Sequence, residues 1–184
     1  MIYIVRHGQT DWNIEGRYQG RVDIELNEVG INQAREISGE LKDIEFDKIF
    51  SSPLKRALQT AIIISSGDII VDDRLTERSN GDLEGKLKSE CNIDIDFNNP
   101  NENRLNIENI LDFRKRIKDF FDDITENYQD ENILVVTHAG VGIYARCYFE
   151  GEPLDGDYSK YKLKNGEVLK YDVRVKEKLY GKSK

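Results

Sequence analysis

Long apolar runs, cysteine clusters, histidines and an excess of positive charge are all missing or scarce in this sequence. No stretch of the 184 residues approaches the roughly 18 consecutive apolar positions of a membrane span. The chain also opens directly into a β-type run with no leader pattern before it, so a soluble, cytoplasmic protein is expected. The two cysteines, Cys91 and Cys147, lie far apart and in no CxxC or ligand spacing. Neither a disulfide framework nor a zinc site is therefore expected, and both thiols read as reduced. Acidic residues number 35 against 27 basic ones, a formal charge of −8. That balance argues against general affinity for nucleic-acid backbones or anionic membranes. It does not argue against a small anion, which a local arginine cluster can hold through short-range charge-assisted hydrogen bonds. The length fits one domain, 1–184, that can bury its core without disulfides or metals. There is no internal repeat or linker.

The two histidines are placed alike. Ile2-Tyr3-Ile4-Val5 is a short run of β-branched and aromatic residues that ends in Arg6-His7-Gly8, and Ile133 to Val136 leads in the same way to Thr137-His138-Ala139-Gly140. Both runs have the form of a buried parallel strand leaving into a tight loop. In open parallel sheets ligands bind beyond the carboxyl ends of the strands, which is where both histidines stand.

Between them, strand and helix patterns alternate. A polar loop with Asn13, Gln19 and Gly20 follows Gly8 and suits close approach to a ligand. Asn27 caps a helix whose apolar face carries Ile31, Ala34, Ile37 and Leu41. Phe46 to Phe50 reads as a second strand, and Ser52-Pro53 as the start of a helix with Arg56 in its first turn. Ile69 to Val71 reads as a third strand, followed by a charged loop with Glu77. Residues 86–106 are polar and weakly patterned, a short lid or cap excursion. A long amphipathic helix is expected from near Ile107 through Ile124, with Glu108 as a first-turn acid. Asn165-Gly166 signals a hairpin that adds antiparallel strands between Tyr161 and Val175 at one sheet edge. The Lys-rich end from Lys176 to Lys184 reads as frayed. The predicted fold is α/β, a three-layer α/β/α sandwich with a mostly parallel sheet and an antiparallel edge.

If the two histidine strands are neighbours, an unprotonated imidazole lies beside guanidinium groups that depress its pKa and bind an anion. Arg6 adjoins His7, and Arg56 sits near a helix N-terminus, which also favours an anion. This combination suits a phosphoryl group, whose transfer needs positioning and charge neutralisation above all. Glu77 is the carboxyl assigned to protonate the leaving oxygen and later to activate water. Taken singly, these residues have plainer readings. His7 would be a hydrogen-bonded strand-end residue, Arg56 a solvated helix charge, and Glu77 a member of a surface ion pair.

Together, RHGQTDWN at 6–13, YQGRVDIELNEVGINQA at 18–34, SSPLKRALQTA at 51–61, RLTERSNGDLEG at 74–85 and VVTHAGV at 135–141 resemble the histidine phosphatase superfamily, the phosphoglycerate-mutase-like fold. The resemblance covers nearly the whole chain. It implies a phosphohistidine at His7, phosphate contacts from Arg6, Asn13, Arg56 and His138, proton donation by Glu77, and no metal or organic cofactor. Gln19, Gly20 and Ala139 are further pocket candidates. The chain departs from the family's pattern at Leu83, often Trp, at Ala139, often Gly, and at Ile107-Glu108-Asn109, often Gly-Glu-Ser. None of these removes a catalytic group. The expected activity is hydrolysis of a small phosphate ester; the alternatives are a cofactor-dependent phosphoglycerate mutase and a non-catalytic phosphate-binding module. The expected partner is a small phosphorylated substrate, with neither nucleic acid nor membrane, and a homodimer is left open.

Overall fold

Strand pairing decides everything that follows. In the computed structural model, which describes residues 1–91, 98–102 and 104–173, β1 (Ile2–Arg6), β2 (Lys48–Ser51), β3 (Ile69–Val71), β4 (Ile133–Thr137) and β5 (Val168–Tyr171) form one sheet. Their order is β3-β2-β4-β1-β5. The first four are parallel, and β5 runs antiparallel to β1 at one edge. In register, Arg6 faces Thr137 and Ser51 faces Val136. The ends of β1, β4 and β2 are thus level, and His7, His138 and Ser52 leave the sheet side by side.

Alternation along the strands builds two cores. Ile2, Ile4, Ile133 and Val135 point to one face, where α4 (Ile110–Asn127) and α5 (Ala139–Glu150) supply Phe113, Phe120, Phe121, Ile124 and Ala145. Tyr3, Val5, Leu134 and Val136 point to the other, against Ile37 and Leu41 of α2 (Glu28–Leu41) and Ala57, Ala61 and Ile64 of α3 (Lys55–Ile64). The result is the three-layer α/β arrangement that the strand and helix alternation predicts. Phe120 and Phe121 are fully buried, each stabilising the fold by about 1.5–3 kcal/mol. Among the described residues no helix is long and apolar enough to cross a membrane.

Several boundaries differ from the sequence expectation. The loop after Gly8 contains a short helix, α1 (Asp11–Glu15), because Thr10 and Asn13 form a reciprocal capping box. Phe46 lies before β2 and packs edge-on against Tyr3 at 5.4 Å. Helix α3 begins two residues beyond Pro53. Ser52 is drawn toward His138, and the first helical amide, Lys55 N–H, is capped by Asp23 Oδ1 at 2.7 Å. Glu108 precedes α4, which Asn109 caps, so it is not a helix acid. The Asn165-Gly166 turn leads into the edge strand β5, while Tyr158–Tyr161 forms a 3-10 turn; among the described residues no second strand joins β5 at that edge. The 86–106 excursion includes 3-10 turns at Lys88–Glu90 and Arg104–Asn106, with 92–97 and 103 outside the described residues. Val175 and the Lys176–Lys184 end also lie outside them.

Candidate active site

His7 stands just past β1, its N–H bonded to Thr137 O at 2.9 Å. The chain then turns sharply, and Gly8 meets Gly30 of α2 so closely that a Cβ on Gly8 would lie 2.3 Å from Gly30 O. His7 Nδ1 donates to Gly8 O at 2.7 Å, since a carbonyl can only accept, and Nε2 is left with a lone pair. Burial, then the Arg56 and Arg6 charges, hold the His7 pKa well below its ordinary value. At neutral pH the ring is uncharged.

His138 lies beside it, with ring centroids 5.1 Å apart. Its Nε2 is 2.7 Å from Ser52 Oγ, and that oxygen already accepts Leu54 N–H at 3.3 Å. Where the Ser52 hydroxyl, which can both donate and accept, donates to Nε2, the ring proton stands on Nδ1. That nitrogen is buried and has no protein partner. Burial and the nearby Arg56 charge depress the His138 pKa well below its ordinary value as well.

Both arginines are tethered and partly unsatisfied. Arg6 Nη1 donates to Leu163 O at 2.6 Å. Arg56 donates from Nη1 to Val22 O and from Nη2 to Gly20 O, each at 2.8 Å. Each guanidinium keeps a buried Nε–H without a partner. Desolvation lowers both pKa values, that of Arg56 to about 10, partly offset by Glu77. Unsatisfied buried donors cost roughly 1–3 kcal/mol each, and an anion placed among them removes that cost.

Glu77 faces this group from the loop after β3. Its Oε1 accepts Arg78 N–H at 2.9 Å and its Oε2 accepts Gly140 N–H at 3.0 Å. Glycine at 140 leaves this carboxyl its room, because a Cβ there would lie 2.4 Å from Glu77 Oε1 and push it aside. The Glu77 backbone is held in turn, its carbonyl accepting from Arg21 and Arg116 at 3.3 Å. Both arginines are ion-paired to Glu108.

Apart from His138, which is fully buried behind His7 and does not line it, these groups open onto a cavity of roughly 590 Å³. His7, Arg6, Arg56 and Glu77 line it, as do the other candidates Asn13, Gln19, Gly20 and Ala139. Asn13 Oδ1 is occupied by Thr10 and Asn165, so the side chain has Nδ2 left to donate. Gly20 takes part through its backbone, and Gln19 Oε1 is buried without a partner. Among the described residues no three His, Cys, Asp or Glu side chains are grouped as a metal site requires.

Sequence reasoning passed over several contributors. Asn165 bonds His7 O, Gly8 O and Asn13 Oδ1; its only signal was the Asn-Gly turn. Glu108 looked like a helix acid and is the hub behind Glu77. Ser52 looked like a helix cap and instead orients His138. Lys88 and Lys162, both lining the cavity, carried no sequence signal.

Known proteins resemble this chain in sequence and fold. A putative phosphoserine phosphatase 2 from Hydrogenobacter thermophilus is 35% identical over 164 residues, covering 84% of this chain and 80% of that relative. An uncharacterized phosphatase, PhoE, from Bacillus subtilis is 36% identical over 147 residues, covering 78% and 74%. The solved structure of a mutant phosphoserine phosphatase from Entamoeba histolytica, in complex with phosphoserine, superposes with a TM-score of 0.79 at 29% identity, covering 91% of this chain and 87% of that one. The family model described as histidine phosphatase superfamily (branch 1) matches residues 2–179. With its paired strand-end histidines, its tethered arginines and this match over nearly its full length, the chain belongs to the histidine phosphatase superfamily, branch 1.

Proposed function

We propose that this phosphatase hydrolyses small phosphate monoesters through a phosphohistidine on His7. The observation that carries the proposal is the buried His7 ring, its Nδ1 committed to Gly8 O, set beside two guanidiniums that each retain an unpartnered Nε–H. The Nε2 lone pair attacks phosphorus and the ester P–O bond breaks. The Nε–H groups of Arg6 and Arg56, His138 Nδ1–H and Asn13 Nδ2 would take the non-bridging oxygens, whose charge must be neutralised in transfer. Glu77, acting as the general acid, gives a proton to the departing alkoxide. The resulting carboxylate then takes a proton from water, the hydroxide attacks phosphorus, and inorganic phosphate leaves as Nε2 regains its lone pair.

A mutase shares the first half and must then shield the phosphohistidine from water. Of the described part of 86–106, only Lys88 and Asn98 line the cavity, which favours hydrolysis. A silent phosphate-binding module would have no use for a carboxylate fixed by two backbone amides. The test is rapid quench with a labelled phosphoester. An acid-labile, base-stable phosphoprotein is expected, with label and turnover both lost in His7→Ala. Undiminished turnover by that variant would overturn the mechanism.

A further inference from the structure

The Asn-Gly turn before β5 carries a hairpin signal in the sequence, and the mechanism above makes no use of it. In the structure it lies against the nucleophile loop. Lys164 O accepts Glu167 N–H at 3.1 Å across the turn, and Gly166, with φ 74°, takes the left-handed position that a type II turn requires. The end of β1 holds the turn in place: Arg6 N–H donates to Glu167 O and Arg6 O accepts Gly166 N–H, each at 3.2 Å. Backbone bonds alone therefore place the turn, and the Asn165 side chain is not needed to form it.

That side chain reaches residues 152 to 158 positions away in sequence. Its Nδ2 donates to His7 O at 3.0 Å, to Gly8 O at 3.2 Å and to Asn13 Oδ1 at 3.2 Å. An amide nitrogen has two hydrogens, so both are taken by protein oxygens and one is shared. Two of these oxygens bear on the reaction. Gly8 O is the carbonyl to which His7 Nδ1 donates, so its position sets the direction in which Nε2 points. Asn13 Oδ1 also accepts Thr10 N–H at 3.0 Å. Were the Asn13 amide turned about, its Nδ2 would face two donors, Thr10 N–H and Asn165 Nδ2. The oxygen is thus kept on that side, and Asn13 Nδ2 is left for the phosphoryl group. Asn165 is half-buried and lines the cavity beside both.

We propose that Asn165 is a positioning residue for phosphoryl transfer, its amide fixing both the Gly8 carbonyl that aims His7 and the Asn13 amide that meets the phosphate. This rests on the phosphatase reading and adds a residue to its machinery. Asn165 acts through its two neighbours and not on the leaving group. Its loss therefore slows attack on phosphorus by the same factor whatever the ester's alcohol.

The experiment compares Asn165→Ala and Asn165→Asp with the wild type. Alanine removes the N–H groups without adding charge. Aspartate keeps the shape and the turn chemistry but turns only acceptors toward the three oxygens, so a residue that merely filled space or made the turn would tolerate it. Both variants should lose roughly 10- to 100-fold in kcat/KM, from the worth of a hydrogen bond to that of a 1 Å misplacement. The loss should be equal on an alkyl phosphate and on p-nitrophenyl phosphate. Because His7 and His138 are the only histidines, a 15N spectrum of histidine-labelled protein at neutral pH reads the His7 tautomer directly. The wild type should show Nδ1–H, and both variants a rising share of Nε2–H. Combined with Asn13→Ala, Asn165→Ala should cost less than the two single losses multiplied, since part of its effect passes through Asn13. Undiminished turnover by either variant, a loss confined to the alkyl phosphate, full multiplication with Asn13→Ala, or a His7 tautomer unmoved in both variants overturns the inference and leaves the phosphatase intact. Failure of the wild type to release phosphate from either ester above the His7→Ala background would instead overturn the phosphatase reading, and the 15N spectra would still decide whether Asn165 holds the His7 loop.

Discussion

Replacing Gly140 by alanine separates the stability of this fold from its chemistry. Gly140 is the second residue of α5, where alanine is the better helix former by up to about 1 kcal/mol. The new Cβ would lie 2.4 Å from Glu77 Oε1 and 3.2 Å from the Phe113 ring, against an ordinary contact of 3.4 Å or more. The side chain that must yield is the end of Glu77, which has to retreat by roughly 1 Å. Such a movement lengthens the bonds from Arg78 and Gly140 N–H that aim the carboxyl. A 1 Å misplacement of a reacting group costs on the order of 100-fold in rate. We expect Gly140→Ala to melt within about 4 °C of wild type and to lose roughly 100-fold in kcat/KM on an alkyl phosphate. The loss on p-nitrophenyl phosphate should be much smaller, because its phenolate leaves without a proton. Glu77→Gln should show the same leaving-group dependence, and the double variant should lose little more than either single one, since both act on one proton transfer. Thermal melts and steady-state kinetics on the two esters suffice. Undiminished alkyl phosphate turnover by well-folded Gly140→Ala, or equal losses on both esters, would refute the reasoning.

Two further outcomes are expected. His7 and His138 are both held neutral by burial and the arginines, so between their depressed folded values and the unfolded value of about 6.5 the unfolded chain binds more protons. Stability should therefore fall as pH drops below about 6.5, by up to about 2–3 kcal/mol for the pair at pH 5.5, and urea midpoints that match at pH 7.5 and 5.5 would contradict this. The acid limb of kcat/KM should likewise lie below pH 6.5. For Glu108, burial would raise the pKa, but the hydrogen bond and charge of Arg116, with Arg21, hold it below the ordinary range. Glu108→Gln should cost about 1–2 kcal/mol, since Arg116 is left half-buried with a weaker partner. The melting temperature should drop by roughly 3–6 °C, and alkyl phosphate hydrolysis should slow because the Glu77 backbone loosens; an unchanged melt would remove Glu108 from that support.

How much was legible in the sequence differs from one residue to the next. Local pattern identified the two histidine strands, because a β-branched run closed by a glycine turn has few other ways to fold. The same holds for α2 and for most of α4, whose apolar faces recur at helical spacing. It also identified Arg6, Arg56 and Glu77 as charged groups at strand ends and helix starts. Where local signals competed with long-range partners, sequence reading went astray. Ser52-Pro53 has the chemistry of a helix start, yet the Ser52 hydroxyl is taken by His138, 86 residues away, and Asp23 caps the helix in its place. Glu108 has the look of a first-turn acid, but its carboxylate is held by Arg21, Arg116 and the Ser79 amide, which puts it outside α4.

The sequence by itself therefore determined the α/β class, the two faces of the sheet and the candidate groups, because periodicity and strand-end punctuation are properties of neighbouring residues. Only the tertiary structure decided that β1 and β4 are adjacent with Arg6 level with Thr137, and hence that the imidazoles lie 5.1 Å apart. It also decided which ring nitrogen keeps its lone pair and which glycine gives Glu77 its room. It gathered Lys88 and Lys162 onto one wall as well. Those relations depend on hydrogen bonds and contacts between segments tens of residues apart, which no local pattern encodes.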